Sequence, residues 1–230
     1  MRVGTAGWSV PSALGAQGSQ LQRYAAQLSC VEINSSFYRP HRVATYARWA
    51  ASVPEGFRFA VKAPRAITHE ARLRDASPLM QAFLEQIGAL GAALGPVLVQ
   101  LPPSLKFDPR LAQDFLSDLR SRFAGEVVIA PRHPSWFSHE AEELLRAHEI
   151  GRVAADPAPV AEAATPGGWP GLRYWRLHGS PQMYHTPYGD ERLRVLAERL
   201  EPGDWVIFDN TASGAALPDA LRLQQLAARD

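Results

Sequence analysis

Short apolar segments alternate along the chain with longer segments in which apolar residues recur every three or four positions. Leu79, Phe83 and Ile87 show the longer, helical spacing. The short segments have the length of β-strands. The predicted strands are residues 3–6, 31–34, 57–62, 97–101, 127–130, 153–155, 172–177 and 205–208. A strand followed by a helix, repeated along the chain, predicts an α/β protein with a parallel sheet.

The spacing of the strands indicates how the sheet is organised. Successive strands begin roughly 20 to 40 residues apart, close to the ~30 residues of a βαβ unit. Eight units in 230 residues predict a closed (βα)8 TIM barrel, a single domain over residues 1–230. A doubly wound open sheet is the alternative. It ordinarily has fewer strands and a Gly-rich first turn, and the segment from Gly4 to Gly7 lacks the G-x-G-x-x-G spacing.

The sixth unit differs from the others. Pro157 and Pro159 follow the sixth predicted strand, and residues 166–171 are rich in Pro and Gly. Proline interrupts helices and these residues favour turns. We therefore predict that the sixth helix is short or missing.

Composition and charge restrict the classes of partner. Hydrophobic residues make up 46% of the chain and charged residues 20%, which is ordinary for a globular domain. The formal net charge is only +1, so an anion site must be local and binding to a long nucleic-acid duplex is not expected. Cys30 is the single cysteine, which excludes an intrachain disulfide, and its strand-like context predicts a buried thiol.

The chain has neither a signal-peptide pattern at its start nor an apolar run long enough for a membrane span. We therefore expect a cytoplasmic protein with no membrane partner. The oligomeric state is left open by the sequence.

Polar side chains stand at the carboxyl ends of several predicted strands. Because side chains alternate between faces, Arg176 and His178 share one face of the seventh strand with Tyr174. Glu32 and Asn34 share a face of the second. Single polar residues also end four other strands, and these are Lys62, Gln100, Arg132 and Asp209. Ligands bind at this end of the strands in parallel α/β folds, which favours a ligand site over the alternative, a structural layer of ion pairs.

The residue types suggest roles within this predicted site. Arg132, Arg176 and Lys62 could hold an anion, because Arg presents a planar set of donors that matches phosphate or carboxylate. His178 or His133 could move a proton near neutral pH. Glu32 or Asp209 could orient a histidine or a water. Further candidates for ligand binding are Asn34, Tyr38, His69, Gln100, Trp136 and Asn210. Packing is the alternative role for Trp136.

No cofactor is predicted, although a divalent metal remains an alternative. The permissible ligands are Glu32, His69, His133, Asp156, His178 and Asp209. Neither H-E-x-x-H nor C-x-x-C spacing occurs to support a metal site. The G-x-S-x-G motif of acyl hydrolases is absent as well, so phosphate-ester chemistry is the preferred reaction if the protein is an enzyme.

Several segments together resemble the YecE-like proteins, also called domain of unknown function family seventy-two. The segments are GTAGWS (4–9), VEINSSFY (31–38), FAVKAP (59–64), TH (68–69), LGPVLVQLPP (94–103), RHPSW (132–136), YWRLHG (174–179) and FDNT (208–211). The resemblance covers essentially the whole chain and implies a TIM barrel without a settled activity. Members of that family usually carry an acidic residue where this chain has Ala130, so a metal ligand or catalytic acid that the resemblance implies is missing. Ala6 and Val10 also depart from the family pattern.

The sequence thus predicts a site for a small anionic or phosphorylated ligand, such as a nucleotide, a nucleic-acid end or a sugar phosphate. Catalysis on a phosphate ester is the leading hypothesis. A non-catalytic binding or interaction protein is the first alternative, modestly favoured by Ala130. A metal-dependent sugar isomerase or endonuclease-like enzyme is the second.

Overall fold

The structure is a computed structural model that describes residues 1–11 and 17–228. The predicted domain range, 1–230, therefore includes two stretches, 12–16 and 229–230, that lie outside the described residues. The strands are β1 (Arg2–Thr5), β2 (Cys30–Ile33), β3 (Arg58–Lys62), β4 (Leu94–Gln100), β5 (Val127–Ala130), β6 (Gly151–Arg152), β7 (Ala154–Asp156), β8 (Gly167–Gly168), β9 (Tyr174–Leu177) and β10 (Trp205–Phe208). The α-helices are α1 (Gln20–Ala25), α2 (Val43–Ala51), α3 (Ser77–Gly88), α4 (Pro109–Arg122), α5 (His139–Ala147), α6 (Gly189–Ala197) and α7 (Ala216–Ala227).

The prediction of one closed parallel sheet, a TIM barrel, is wrong. The strands form two sheets, one ordered β1-β10-β9-β7 and the other β2-β3-β4-β5-β6-β8. The pairs of the first sheet are parallel, but β6 and β8 pair antiparallel in the second. An isolated parallel bridge, Ala6 to Glu32, connects the β1 side of one sheet with the β2 side of the other.

The sixth predicted strand explains this difference. The predicted strand, 153–155, overlaps only β7, which pairs with β9, whereas β6 lies just before it and pairs with β5, so one short stretch of chain contributes to both sheets. Gly167–Gly168 occupies the free side of β6 and gives the antiparallel pair. Apolar alternation predicts that a strand exists and which side chains share a face, but it does not determine which strands pair.

The segment between β7 and β9, all of it described, contains no α-helix. Its helical part is a 3-10 helix, Ala161–Ala164. A cleft of about 330 Å³ consequently remains between β9 and α6, and Trp175, Leu177 and Leu196 are among the residues that line it.

Helix boundaries follow from local capping. Asp108 precedes α4, and its carboxylate accepts a hydrogen bond from the Leu111 amide at 3.1 Å. Pro109 is tolerated at the first position of α4 because its missing amide hydrogen would have no partner within the helix. Ser138 caps α5 in the same way by accepting from the Ala141 amide. Over residues 1–11 and 17–228, no helix has the length and apolar character needed to cross a bilayer.

Two apolar clusters form the core, and single strands contribute to both. In β5, Val127 and Ile129 belong to the larger cluster, which includes helix residues such as Phe115. Val128 and Ala130 belong to the smaller cluster, which also contains Cys30, Ala60, Tyr174 and Ile207. Cys30 is buried and free, as predicted.

The smaller cluster positions the polar residues. Lys62 lies two residues beyond Ala60, and Asp209 two beyond Ile207, so each charged side chain continues an apolar face toward the carboxyl end of its strand. The buried charges therefore gather above the smaller cluster.

Candidate functional site

Arg176 stands at the centre of the buried polar residues and connects the two sheets. Its Nε donates to Glu32 Oε2 at 3.1 Å and its Nη2 donates to Glu32 Oε1 at 2.7 Å. Nη2 also donates to Asp209 Oδ2 at 3.0 Å. Gln100 Oε1 lies 3.4 Å from Nη1 and accepts a longer bond. Arg176 is only 1% exposed, so its guanidinium is held almost wholly by protein groups.

Glu32 is fully buried, yet it is ionised. Burial opposes the charge, but the Arg176 guanidinium outweighs it, and the pKa of Glu32 is below its ordinary value. Tyr174 contributes as well, because its hydroxyl donates to Glu32 Oε2 at 2.8 Å. Asp209 behaves differently, since burial raises its pKa despite the attraction of Arg176.

The contacts of His178 determine its protonation. Its Nε2 lies 2.9 Å from Nη1 of Arg176 and 3.0 Å from Nη2 of Arg132. A guanidinium only donates, so Nε2 must be an unprotonated acceptor. The proton of the ring is then on Nδ1, which lies 3.3 Å from the backbone oxygen of Asp156. Burial and the two guanidinium groups lower the pKa of His178 well below its ordinary value, in agreement with a neutral ring.

We expect this neutral histidine to make stability depend on pH. The unfolded chain binds a proton at His178 below about pH 6.5, whereas the folded protein does not. The unfolded state then holds more protons, so the free energy of unfolding falls as the pH drops, by at most about 1.4 kcal/mol per pH unit for one group. Urea denaturation between about pH 7 and pH 5 measures the slope.

The control for this prediction is His178→Gln, whose amide oxygen can still accept from the guanidinium groups. The variant should show a shallower slope. A residual slope is expected, because the pKa values of His41 and His69 are also lowered, chiefly by burial. An unchanged slope in His178→Gln would mean that His178 is protonated in the folded protein.

Lys62, the last residue of β3, is a buried cation that differs from Arg176 in contacting an aromatic ring in place of carboxylates. It is 5% exposed, and its Nζ lies 4.1 Å from the centre of the Phe37 ring. Burial, followed by repulsion from Arg176, lowers the pKa of Lys62 to about 8. Within the described part of the chain, no carboxylate lies within ion-pair distance of its ammonium.

Arg132 gives the site an excess of positive charge. Its Nη2 contacts His178, and no carboxylate among residues 1–11 and 17–228 forms an ion pair with it. Three cations, Lys62, Arg132 and Arg176, therefore share the site with two carboxylates, Glu32 and Asp209. With His178 neutral, the cluster carries a net charge of +1, and protonation of Asp209 would increase it.

Comparison with known proteins places this geometry in a family. The family model described as "Protein of unknown function DUF72" matches residues 2–230. The chain belongs to the DUF72 family. The predicted resemblance to the YecE-like proteins is confirmed.

Two curated relatives of this DUF72 chain carry the name "UPF0759 protein YecE". The protein from Escherichia coli strain K12 is 32% identical over 169 residues, and that from strain O157:H7 is 31% identical over the same length. Each match covers 70% of this chain and 61% of the relative, so the chain spans about three fifths of the length of the curated relatives it matches.

Two solved DUF72 structures share the fold. The protein from Enterococcus faecalis V583 has a TM-score of 0.84 and 23% identity, and the match covers 99% of this chain and 95% of that one. The protein from Thermotoga maritima MSB8 has a TM-score of 0.80 and 26% identity, with 99% and 98% covered.

Some residues predicted for the ligand site lie apart from the cluster in this DUF72 structure. His133 caps the 3-10 helix Pro134–Phe137, and its Nδ1 lies 2.8 Å from Ser135 Oγ. Trp136 is buried and donates from Nε1 to the Leu105 oxygen at 3.0 Å, which is the packing role given as its alternative. Asn210 is buried and donates to Asp219 Oδ2 at 2.7 Å.

Two other predicted residues pack against Phe37, the residue beneath the Lys62 ammonium, and the backbone oxygen of a third, Asn34, accepts from the Phe37 amide at 3.2 Å. Tyr38 is 71% exposed, and its ring packs edge-on against Phe37. His69 packs edge-on against the same ring, with centroids 5.0 Å apart. Asn34 is half-buried, and its Oδ1 is buried without a hydrogen-bond partner. Tyr38 and His69 are thus connected to Lys62 through the Phe37 ring.

Two residues that contact the cluster are not among the site residues predicted from the sequence. Tyr174 was placed on the same face as Arg176 but was not included as a site residue, although its hydroxyl holds Glu32. Phe37 was overlooked because it reads as an ordinary core residue. Among the described residues, no three His, Cys, Asp or Glu side chains gather as a potential metal site.

Proposed function

We propose that this DUF72 protein binds a small phosphorylated or carboxylated ligand where the carboxyl ends of β2, β3, β5, β9 and β10 meet. The proposal rests on Lys62, which is buried, and Arg132, which is half-buried, because neither cation has a carboxylate partner in the described part of the chain. A buried charge without a partner is costly. An anionic ligand would supply that partner.

The contacts of Arg176 and Arg132 indicate different roles for the two arginines in ligand binding. Arg176 is occupied by Glu32 and Asp209, so it forms the base of the site. Among the described residues, the guanidinium of Arg132 has one hydrogen-bond partner, the neutral ring of His178 against Nη2, which leaves its other donors for phosphate or carboxylate oxygens. The near-zero net charge of the whole chain favours a small ligand, or a nucleic-acid end, over a long duplex.

Phosphate-ester chemistry is the reaction that this arrangement best supports. Arg132 and Lys62 would stabilise charge that develops on the phosphoryl oxygens. The Nε2 atom of His178 is already shared by two guanidinium groups. Asp209 is therefore the better candidate for proton transfer, because burial raises its pKa and allows it to carry a proton closer to neutral pH.

Ala130 favours a second candidate, a binding protein without catalysis. The residue is buried at the end of β5, where the YecE-like pattern usually has an acidic side chain. A methyl group there neither binds a metal nor moves a proton. Elemental analysis and turnover of phosphate esters would separate this candidate from the metal-dependent and the phosphate-ester enzymes.

Thermal unfolding in the presence of anions tests the proposed function. Inorganic phosphate, a sugar phosphate or a nucleotide at 100 times its dissociation constant should stabilise the protein by about 2.7 kcal/mol and raise the unfolding midpoint. We expect Arg132→Ala to lose most of this shift. Arg110→Ala, which removes an exposed arginine of α4, is the matched control and should keep it.

The outcomes separate specific from general binding. Equal loss of the shift in both variants would indicate non-specific attraction to the surface. No shift with any anion would contradict the proposal and leave the cluster as a structural layer of charges.

A further inference from the structure

The use of lysine in this chain is unusual. Of the 24 cationic side chains, 22 are arginine, and only Lys62 and Lys106 are lysine. Lys106 is exposed. The other lysine, Lys62, lies in the buried cluster together with Arg132 and Arg176.

A purely electrostatic role does not explain this choice. Arginine offers more donors, in a planar arrangement that fits phosphate and carboxylate, and it stays charged under all ordinary conditions. Lysine offers instead a compact amine that can lose its proton and then act as a nucleophile. The difference between the two residues is therefore chemical reactivity rather than charge.

The surroundings of Lys62 make its ammonium easier to deprotonate than that of an ordinary lysine. Phe37 contacts its Nζ, and no carboxylate of the described residues pairs with it. The charged groups that act on it are Arg176, Arg132, Glu32 and Asp209, and burial is the largest effect. With a pKa of about 8, roughly a tenth of the amine is unprotonated at pH 7, whereas an ordinary lysine with a pKa of about 10.4 is almost entirely protonated.

The backbone that carries this side chain is held on both sides of its carbonyl. The Lys62 oxygen accepts a hydrogen bond from Ser36 Oγ at 2.6 Å, and the following amide, of Ala63, donates to the Leu98 oxygen at 2.9 Å. Lys62 is thus the end of a fixed strand next to Arg176 rather than a mobile surface side chain.

We propose that Lys62 forms an imine with an aldehyde or ketone group of an anionic ligand. This inference rests on the proposed function, because the phosphate or carboxylate of the ligand would be held by Arg132 beside the amine. The substrate class would then be a small carbonyl compound that also carries an anionic group.

The step balances without an oxidant or a reductant. The lone pair of Nζ attacks the carbonyl carbon and forms the C–N bond, giving a carbinolamine. The C–O bond then breaks, and the carbonyl oxygen leaves as water with the two hydrogens of the amine. The product is an imine, which takes up a proton and becomes a cation that the nearby carboxylates of Glu32 and Asp209 stabilise.

Reductive trapping in the full-length protein tests the proposal. The probe is pyridoxal phosphate, an aromatic aldehyde with a phosphate group, and borohydride reduces any imine to a stable secondary amine. Peptide mass spectrometry then compares the adduct at Lys62 with that at Lys106, the exposed internal control. We expect Lys62 to be labelled about ten times more or better, because its amine is less protonated than an ordinary lysine.

Two further comparisons distinguish imine formation at Lys62 from binding of the anionic group. Excess inorganic phosphate should suppress labelling of Lys62 but not of Lys106, and pyridoxal, which lacks the phosphate, should label Lys62 far less. Lys62→Arg should lose the adduct, whereas Lys106→Arg, which changes an exposed lysine outside the site, should keep both the adduct at Lys62 and the thermal shift with phosphate. Lys62→Gln provides a second variant if arginine does not fit beside Phe37.

Each outcome decides between the two proposals. A phosphate-dependent thermal shift without an adduct at Lys62 would overturn the imine and leave the anion site intact. If the Lys62 adduct forms equally with pyridoxal, and excess inorganic phosphate does not reduce its amount, the reactive amine would be supported and the anion site contradicted. Labelling no greater at Lys62 than at Lys106, with no thermal shift, would overturn both.

Discussion

Replacing Arg176 by methionine is expected to destabilise the folded protein by about 3–5 kcal/mol, the usual cost of removing one partner from a buried ion pair. The change leaves Glu32 and Asp209 buried without the guanidinium that both contact. Chemical denaturation followed by circular dichroism measures the loss. The variant should also unfold at a much lower temperature than the wild type.

A double-mutant cycle separates the ion pair from simple packing. Glu32→Gln removes the negative charge with little change in size, so adding it to Arg176→Met should recover part of the lost stability. We expect an interaction energy of about 1–3 kcal/mol between the two changes. Strict additivity would show that the Arg176–Glu32 contact contributes little, and that Arg176 acts mainly through Asp209 or through packing.

Trp136→Ala is expected to cost about 3–5 kcal/mol of folding free energy, as for other buried aromatic residues. The indole is 1% exposed, packs edge-on against Phe107 with centroids 5.0 Å apart, and donates to the Leu105 oxygen. Truncation would leave a cavity and an unpaired buried carbonyl. Urea denaturation measures the effect, and Trp136→Phe should cost less because it loses mainly the hydrogen bond.

The same variants test whether Trp136 belongs to the ligand site, as the sequence analysis predicted. We expect the thermal shift with phosphate to persist in Trp136→Phe, because the indole is held by Leu105 and Phe107 and not by the charged cluster. If stability hardly changes while the shift disappears, Trp136 contacts the ligand directly.

Local sequence pattern predicted much of the candidate site. Alternation along a strand placed Tyr174, Arg176 and His178 on one face, and the structure brings Arg176 into contact with both Glu32 and Asp209. This succeeded because the face of a strand residue depends only on its position within that strand. The predicted strands overlap with the observed ones for the same reason.

Properties that depend on distant residues could not be predicted in this way. Alternation does not reveal that β6 and β7 pair in different sheets. The sequence also does not show that two guanidinium groups converge on Nε2 of His178, which makes that ring a neutral acceptor. His133 had the same pattern of a polar residue after a strand, yet it caps a 3-10 helix.

The contact between Glu32 and Arg176 has a consequence for synthesis of the chain. The two residues are 144 positions apart, so Glu32 and Lys62 leave the ribosome long before the guanidinium that neutralises Glu32. A growing chain that packed β2 and β3 early would bury Glu32 without the guanidinium that donates to both of its carboxylate oxygens. The N-terminal half should therefore remain open, and within reach of chaperones, until β9 and β10 are made.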